Sequence, residues 1–239
     1  MTKVESLVCL LTIICLFGIV KPNELIGDGL DNHRRWIQST KFVIQNKVRE
    51  TEVHLSITYL NFQSDMWLHK EQSLETLGKN INKTFNHIQR IVDTTMSHGK
   101  NAENCLKLAK KELGAIKNEG ATIIMKHMND VEAQFNLACS FMTTFKEAAK
   151  TVTNNLDQIF TLCNTEFTIA PNCVIYSWID IQPQIQGFRN KSVWCTELID
   201  LIMPWMTKSF LAKLTGTLKS ATTALDDVVI ATEECIKNP

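Results

Sequence analysis

Between Ile124 and Cys163, apolar residues recur at steps of four and three without a break, and this repeat limits the fold more than any other feature of the chain. It comprises Ile124, Met128, Val131, Phe135, Ala138, Met142, Phe145, Ala149, Val152, Leu156, Ile159 and Cys163. The spacing predicts one long amphipathic helix, about 60 Å in length at 1.5 Å per residue. Leu137, Phe141 and Phe160 widen its apolar face, which favours burial within one chain over an exposed coiled coil that dimerises.

Four further segments have helical spacing of apolar residues. They run from Ile37 to Phe62, from Leu74 to Val92, from Leu106 to Ile116 and from Leu211 to Cys235. Ser73 stands where a residue that caps the N-terminus of a helix is expected. In the last segment Cys235 falls on the apolar face, where a catalytic thiol would be inert and a disulfide would be well placed.

Glycine and proline predict the breaks between these helices. Gly99 and Gly120 mark two turns, and Pro204 predicts a kink or a split. Residues 164–191 contain two prolines and a glycine around a β-branched and aromatic stretch, which predicts an irregular loop or one short strand. The sequence therefore predicts an all-α protein, an elongated antiparallel bundle of five or six helices with an irregular insertion near 164–191.

The N-terminal residues differ in composition from the rest of the chain. An apolar run from Leu7 to Val20 follows a short polar start and precedes the polar sequence KPNE. This is the layout of a secretory signal peptide, and the run is shorter than the roughly 20 residues that span a bilayer. We expect residues 1–20 to be removed, although an uncleaved anchor is the alternative. Residues 21–239 would then form a single secreted domain, with a subdivision near 99–101 as the other interpretation.

Six of the eight cysteines follow the predicted signal peptide: Cys105, Cys139, Cys163, Cys173, Cys195 and Cys235. An even number of cysteines in an oxidising compartment predicts three disulfide bonds. The expected pairs are Cys105–Cys139, Cys163–Cys173 and Cys195–Cys235, of which the first depends on a turn at Gly120. Six cysteines allow fifteen pairings, so these assignments remain open. No CxxC, HExxH or Cys/His cluster indicates a metal site.

Charge and glycosylation signals agree with an extracellular protein. The chain has 25 basic and 25 acidic residues, and this balance gives no positive surface for nucleic acid or an anionic membrane. Asn82-Lys-Thr and Asn190-Lys-Ser are acceptor sequences for N-linked glycans.

The chain carries no motif that indicates catalysis or a cofactor. A nucleophile elbow, a phosphate-binding loop, a dinucleotide-binding glycine pattern and an EF-hand loop are absent, and the six histidines are scattered. We assign no catalytic residue, cofactor or metal ligand and expect a protein that is not an enzyme. Five tryptophans, Trp36, Trp67, Trp178, Trp194 and Trp205, are candidates for lining a cavity between helices that holds an apolar ligand.

The C-terminal half of the chain resembles the TsetseEP-domain group of small secreted insect proteins, and the segments WCTELID at Trp194 and ATEEC at Ala231 carry the resemblance. Members of that group carry a signal peptide, helical segments and scattered cysteines, and they have no established enzymatic activity. The resemblance begins at Cys105 and leaves the first hundred residues uncovered. It implies an insect extracellular protein.

The sequence therefore predicts a secreted, disulfide-bonded glycoprotein that binds another extracellular protein without catalysis. Carriage of a small apolar ligand between the helices is the alternative. The partner or ligand is not specified by the sequence.

Overall fold

A computed structural model describes residues 30–99, 101–164 and 171–237, which form four α-helices. These are α1 (Leu30–Ser97), α2 (Glu103–Ala138), α3 (Phe141–Leu162) and α4 (Pro171–Lys237). The predicted all-α class is confirmed for this part of the chain, but the predicted five or six helices are four. The predicted signal peptide at 1–20 lies outside the described residues. None of the described helices combines the length and the apolar character that crossing a membrane requires.

Helix α1 continues through two positions that interrupt its apolar pattern. Thr51 breaks the periodicity of the segment from Ile37 to Phe62, and Ser73 was expected to cap a new helix. Both side chains are instead buried within α1. Thr40 illustrates why such residues are tolerated. Its hydroxyl donates a hydrogen bond to the Trp36 carbonyl at 3.0 Å, so the buried polar group has a partner within the helix.

The two glycines that predict turns have different roles. Gly99 follows α1 with a φ of 81°, so the predicted break is confirmed there and uses the left-handed conformation that glycine allows. Gly120 lies inside α2, and no turn forms. A Cβ atom at Gly120 would lie 2.8 Å from Leu77 Cδ2, so this glycine allows α1 to approach α2 closely.

The predicted irregular insertion at 164–191 is wrong over most of its length, because α4 begins at Pro171 and continues to Lys237. Proline is well suited to the first position of a helix, where its missing N–H would have no partner. Pro183 and Pro204 both lie inside α4 on its exposed side. There the carbonyls that lose a helical hydrogen bond can be solvated. Pro204 therefore does not split the helix.

One interruption was not predicted. Cys139 and Ser140 form a short turn that divides the expected long helix into α2 and α3. The periodicity continues across this turn, and every predicted position between Ile124 and Cys163 is buried except Ala138, which is partly exposed. The apolar repeat therefore predicted burial correctly and continuity incorrectly.

The chain divides into two compact units, each assembled from separate segments. The first contains Met1–Val48 and Lys146–Asn190, and the second contains Arg49–Phe145 and Lys191–Pro239. Helices α1, α3 and α4 contribute residues to both. The connection at 99–101, where a subdivision was considered, lies within the second unit.

In the first unit, the segment of α3 runs antiparallel to those of α1 and α4. The guanidinium of Arg34 lies 5.3 Å from the Phe160 ring centroid, and Asn155 donates to Gln184 at 2.7 Å. The rings of Trp36 and Trp178 pack against each other at an angle of 42°. In this unit the segments of α1 and α4 therefore run parallel to each other.

In the second unit, α2 runs antiparallel to the segments of α1 and α4. Tyr59 stacks on Phe135 with ring centroids 4.0 Å apart, and Lys110 lies over Phe85 at 5.3 Å. The core of this unit combines buried apolar residues of all three helices, including Ile88, Ile124, Val131, Met206, Phe210 and Leu225. The resulting architecture is a three-helix bundle in which α1 and α4 run in the same direction and α2 runs antiparallel to both.

Among the described residues there are two disulfides, Cys105–Cys235 and Cys163–Cys173, while Cys139 and Cys195 are free. The Cys163–Cys173 pair is confirmed. The other two expected pairs are wrong for a common reason: each would join residues of one helical stretch. Cys105 and Cys139 are separated by the length of α2, about 50 Å, and Cys195 and Cys235 by about 60 Å of α4. The expected role of Cys235 as a staple is retained with Cys105 as its partner.

The two disulfides should contribute unequally to stability. They close loops with sequence separations of 130 and 10 residues, for which the chain-entropy relation gives about 5 and about 3 kcal/mol. The double variant Cys105→Ser/Cys235→Ser should therefore lose more free energy of unfolding than Cys163→Ser/Cys173→Ser, as measured by denaturant titration. The single variant Cys235→Ser should titrate one thiol more than the parent and be secreted less. Normal secretion with no additional thiol would contradict the assignment.

Candidate functional site

A groove between α2 and α4 is a concave feature of the second unit. Its volume is about 410 Å³. The lining side includes Gly120, Ile123 and His127 from α2 and Lys213, Gly216 and Thr217 from α4. This volume falls within the range of small-molecule sites in proteins, which is about 300 to 1,000 Å³.

Small residues of α4 leave the groove open. Gly216, Ser220, Ala221 and Ala224 all line it and recur at the spacing of one helix face. A Cβ atom placed at Gly216 would have no heavy atom within 4 Å. The contrast with Gly120, which is filled by Leu77, indicates that Gly216 borders empty space and does not serve close packing.

His127 and Thr217 join the two walls of the groove. His127 Nε2 lies 3.2 Å from Thr217 Oγ1, and the Thr217 hydroxyl donates its only hydrogen to the Lys213 carbonyl at 3.0 Å. The hydroxyl oxygen must therefore accept from Nε2–H, which assigns the tautomer of the neutral ring. His127 Nδ1 is then an acceptor, and it is buried without a hydrogen-bond partner among the described residues.

The electrostatics of the groove favour the neutral form of His127. Burial lowers the pKa of His127 below its ordinary value, and the positive charge of Lys213 lowers it further, with a smaller contribution from Lys126. Asp130 acts in the opposite direction. The groove is thus lined by the Lys213 ammonium group, the neutral His127 ring, the Glu119 carboxylate and several small or apolar residues, which is a set of groups for binding.

A second, more open depression of about 460 Å³ lies between α1 and α4 in the same unit. Lys83 and His87 line one wall, and Asp226 and Leu225 line the other. Charges of both signs face it. No group of three metal-ligating side chains occurs within the described helices and turns.

Two of the five predicted cavity tryptophans meet. Trp36 and Trp178 are in contact in the first unit, and the space beside them, bordered by Ile37 and Val174, is about 20 Å³. A volume of that size accommodates about one water molecule. This pair therefore fills space between helices and leaves no room for a ligand.

The other three tryptophans belong to the second unit and are largely exposed. Trp67, Trp194 and Trp205 have 47%, 52% and 64% of their surface accessible. Trp194 packs edge to face against Phe141 with centroids 5.8 Å apart. None of the three lines the groove between α2 and α4, so the candidate site lies where the tryptophan pattern did not place it.

The predicted glycosylation sites are accessible. Asn82 is exposed on α1 of the second unit, and Asn190 is exposed on α4 of the first. Asn190 Oδ1 accepts a hydrogen bond from Gln186 at 3.0 Å. Glycosylation at both positions stays a prediction.

The outer face of α1 carries a second candidate site, an apolar stripe. It consists of Val53, Ile57, Leu60, Trp67 and Leu68, which are 49%, 54%, 61%, 47% and 54% exposed. The first three follow at steps of four and three and continue to Trp67 through Ser64. The residues that α1 packs into the core lie on a different face of the helix. The stripe therefore points away from the core of the second unit.

Sequence reasoning did not find either site. The groove is made by small residues whose signal was only their spacing on α4, from Gly216 to Ala224. The stripe was hidden because Val53, Ile57 and Leu60 lie among residues of the core-facing repeat. Scoring two apolar phases along α1 separately would have identified it.

Comparison with known proteins adds no assignment. The chain matches no family model, no curated protein and no solved structure.

His127 should titrate below its ordinary value of 6.5. Because the unfolded chain binds the proton more tightly, the contribution of His127 to stability is fully present above about pH 6.5 and is lost as the pH drops through the folded-state pKa. An NMR titration measures the midpoint of His127 directly.

Lys213→Met should raise the titration midpoint of His127, but not to its ordinary value, because burial lowers the pKa more than Lys213 does. Lys126→Met should raise it less, and a midpoint at or above 6.5 in the parent protein would contradict this account.

Proposed function

We propose that this protein is secreted and acts by binding another protein through the outer apolar stripe of α1, without catalysis. The observation that carries the proposal is the stripe itself. Five large apolar side chains on one face of one helix are each about half exposed. Contiguous apolar surface of this kind is characteristic of interaction sites.

The spacing of the stripe favours a helix as the bound partner element. Val53, Ile57, Leu60 and Trp67 occupy steps of four and three with Ser64 between the last two, which is the seam that one helix presents to another. From Val53 to Ser64 the sequence contains no Asp, Glu, Lys or Arg. The partner helix would therefore present an apolar seam with uncharged flanks.

Trp67 is suited to anchor such a contact. The Lys70 ammonium lies 3.4 Å from its ring centroid and also pairs with Glu71 at 2.9 Å. Lys70 itself is only 4% exposed, so this cation–π contact is partly desolvated and holds the indole in place. Tryptophan is enriched among the residues that dominate binding energy, and a fixed side chain loses less entropy on binding.

Secretion is supported by independent features. Two disulfides fit an oxidising compartment, and the apolar run from Leu7 to Val20 has the length of a signal peptide core. Exposed glycan acceptors at Asn82 and Asn190 fit the same compartment. The resemblance to secreted insect TsetseEP-domain proteins agrees with this assignment and with a role other than catalysis.

Leu60→Glu should abolish recognition by the stripe, because it places a charge at its centre. The matched control is Leu108→Glu, since Leu108 is similarly exposed, at 57% against 61%, but lies on α2. The probe is a synthetic helical peptide with leucines at steps of three and four among uncharged residues. Calorimetry should give about tenfold or greater weakening for Leu60→Glu and no change for Leu108→Glu.

A second peptide of the same composition, with its leucines distributed around the helix, controls for general hydrophobicity. Equal binding of both peptides, or equal effects of the two substitutions, would refute recognition by the stripe.

Carriage of a small ligand is a second candidate function, and one observation favours it. The groove between α2 and α4 has a volume of about 410 Å³, whereas the space at Trp36 and Trp178 is about 20 Å³. A ligand would therefore bind in the groove of the second unit.

A native mass spectrum of the unreduced protein, secreted from a eukaryotic host, tests carriage and the disulfide count together. Two disulfides predict a mass four hydrogens below that of the reduced chain, since each bond removes two. An additional small apolar molecule on the monomer would support carriage. A protein that remains bare after incubation with a lipid extract would count against it.

A further inference from the structure

We propose that the groove between α2 and α4 binds a small monoanionic amphiphile, with its acidic head at Lys213 and its apolar chain along the small residues of α4. This inference rests on the second candidate function, carriage of a ligand, and names the class of ligand.

The groups of the groove that can attract an anion lie at one end. His127 contacts Thr217, which lies one turn after Lys213 on α4, so these three residues lie within about one turn of each other along the antiparallel pair. No carboxylate of the described residues forms an ion pair with Lys213. An ammonium group beside a groove, without a partner from the protein, favours an anionic group of a ligand.

Towards the other end, the groove is lined by small and apolar residues, with Glu119 as the charged residue there. Ile116 on α2 lies eleven residues before His127, and Ala224 lies eleven residues after Lys213, so this end is about 16 Å from the end at Lys213. Ala221 lies between and is buried. A linear hydrocarbon chain fits a channel with this length and with no bulky side chains on its α4 wall.

Charge gives the ligand one orientation. Glu119 lines the groove on the α2 turn next to Ile116, at the end away from Lys213. An anionic head would be repelled by Glu119 at that end, whereas at the other end it meets Lys213. The groove therefore distinguishes an anionic amphiphile from a cationic one, and its two ends distinguish head from tail.

A bound anion would also change the ionisation of His127. The positive charge of Lys213 is one of the causes that lower the pKa of His127. A carboxylate held at Lys213 offsets this charge and should raise the pKa of His127. Asp130 and Lys126 also act on His127 but do not line the groove, so their influence should stay constant. The ring of His127 thus reports whether the head is bound at the predicted end.

The test uses the full-length secreted protein, with dodecanoate and dodecyltrimethylammonium as probes that share a chain and differ in the charge of the head. Calorimetry should detect the binding of one dodecanoate molecule per chain. The protein should bind the cationic probe at least about tenfold more weakly. NMR should show an increase in the His127 titration midpoint on addition of dodecanoate. Lys213→Met should weaken dodecanoate binding about tenfold, since a charge-assisted hydrogen bond is lost.

Gly216→Leu should fill the groove and abolish binding of the chain, because open space adjoins this position. Gly114→Leu is the matched control, since a Cβ there also meets no atom within 4 Å and Gly114 does not line the groove. Circular dichroism and thermal unfolding check that both variants fold. If either variant fails to fold, the affinity of Lys213→Met for dodecanoate and the titration midpoint of His127 still test whether the anionic head binds at Lys213.

The possible results separate two failures. Equal binding of both probes, lost in Gly216→Leu, would refute an anionic ligand and keep carriage in the groove. Dodecanoate binding that is unchanged in Gly216→Leu, with a constant His127 midpoint, would refute the site. Binding of neither probe would overturn both the ligand class and carriage of such ligands.

Discussion

The disulfide between Cys105 and Cys235 fixes which residues of α2 face which residues of α4, and the candidate groove depends on this register. The two cysteines are 130 residues apart in sequence, with Cα atoms 5.8 Å apart. The bond adds to the packing of large buried side chains from both helices in one core, such as Ile124 and Leu225. It holds α2 and α4 in the register in which His127 lies opposite Thr217 and Gly216 faces open space.

The burial pattern of this fold could be predicted from sequence, whereas the helix boundaries could not. Periodicity reports which side of a helix loses contact with water, so the positions from Ile124 to Cys163 were assigned correctly despite the turn at Cys139. Glycine and proline indicate only which backbone conformations are accessible at a position, and not which of them the fold adopts. Gly120 allows a close approach by Leu77, and Pro204 lies on a solvated side. Neither residue ends a helix, because contacts with neighbouring helices and with solvent override the local conformational preference.

The candidate sites were missed for a related reason. Tryptophan attracts attention because it is large, yet Trp36 and Trp178 fill their space completely and Trp67 lies on an outer face. The groove is defined by what α4 lacks at Gly216 and Ala224. A gap between helices depends on the distance between their axes, which a single sequence does not specify. The cysteines show the same limitation: the short-range pair was predicted, and the pair 130 residues apart required knowledge of the helix arrangement.

The order of segments in the two compact units has an evolutionary consequence. The first unit uses Met1–Val48 and Lys146–Asn190, and the second uses the segments that lie between and after them. No single contiguous stretch of the gene encodes either unit, so neither can be gained, lost or exchanged by one recombination event. An insertion within α1 that is not a whole number of turns would put the core-facing side chains after it out of phase with those before it. The lengths of α1 and α4 are therefore expected to be inherited together, and changes in one should be accompanied by compensating changes in the other.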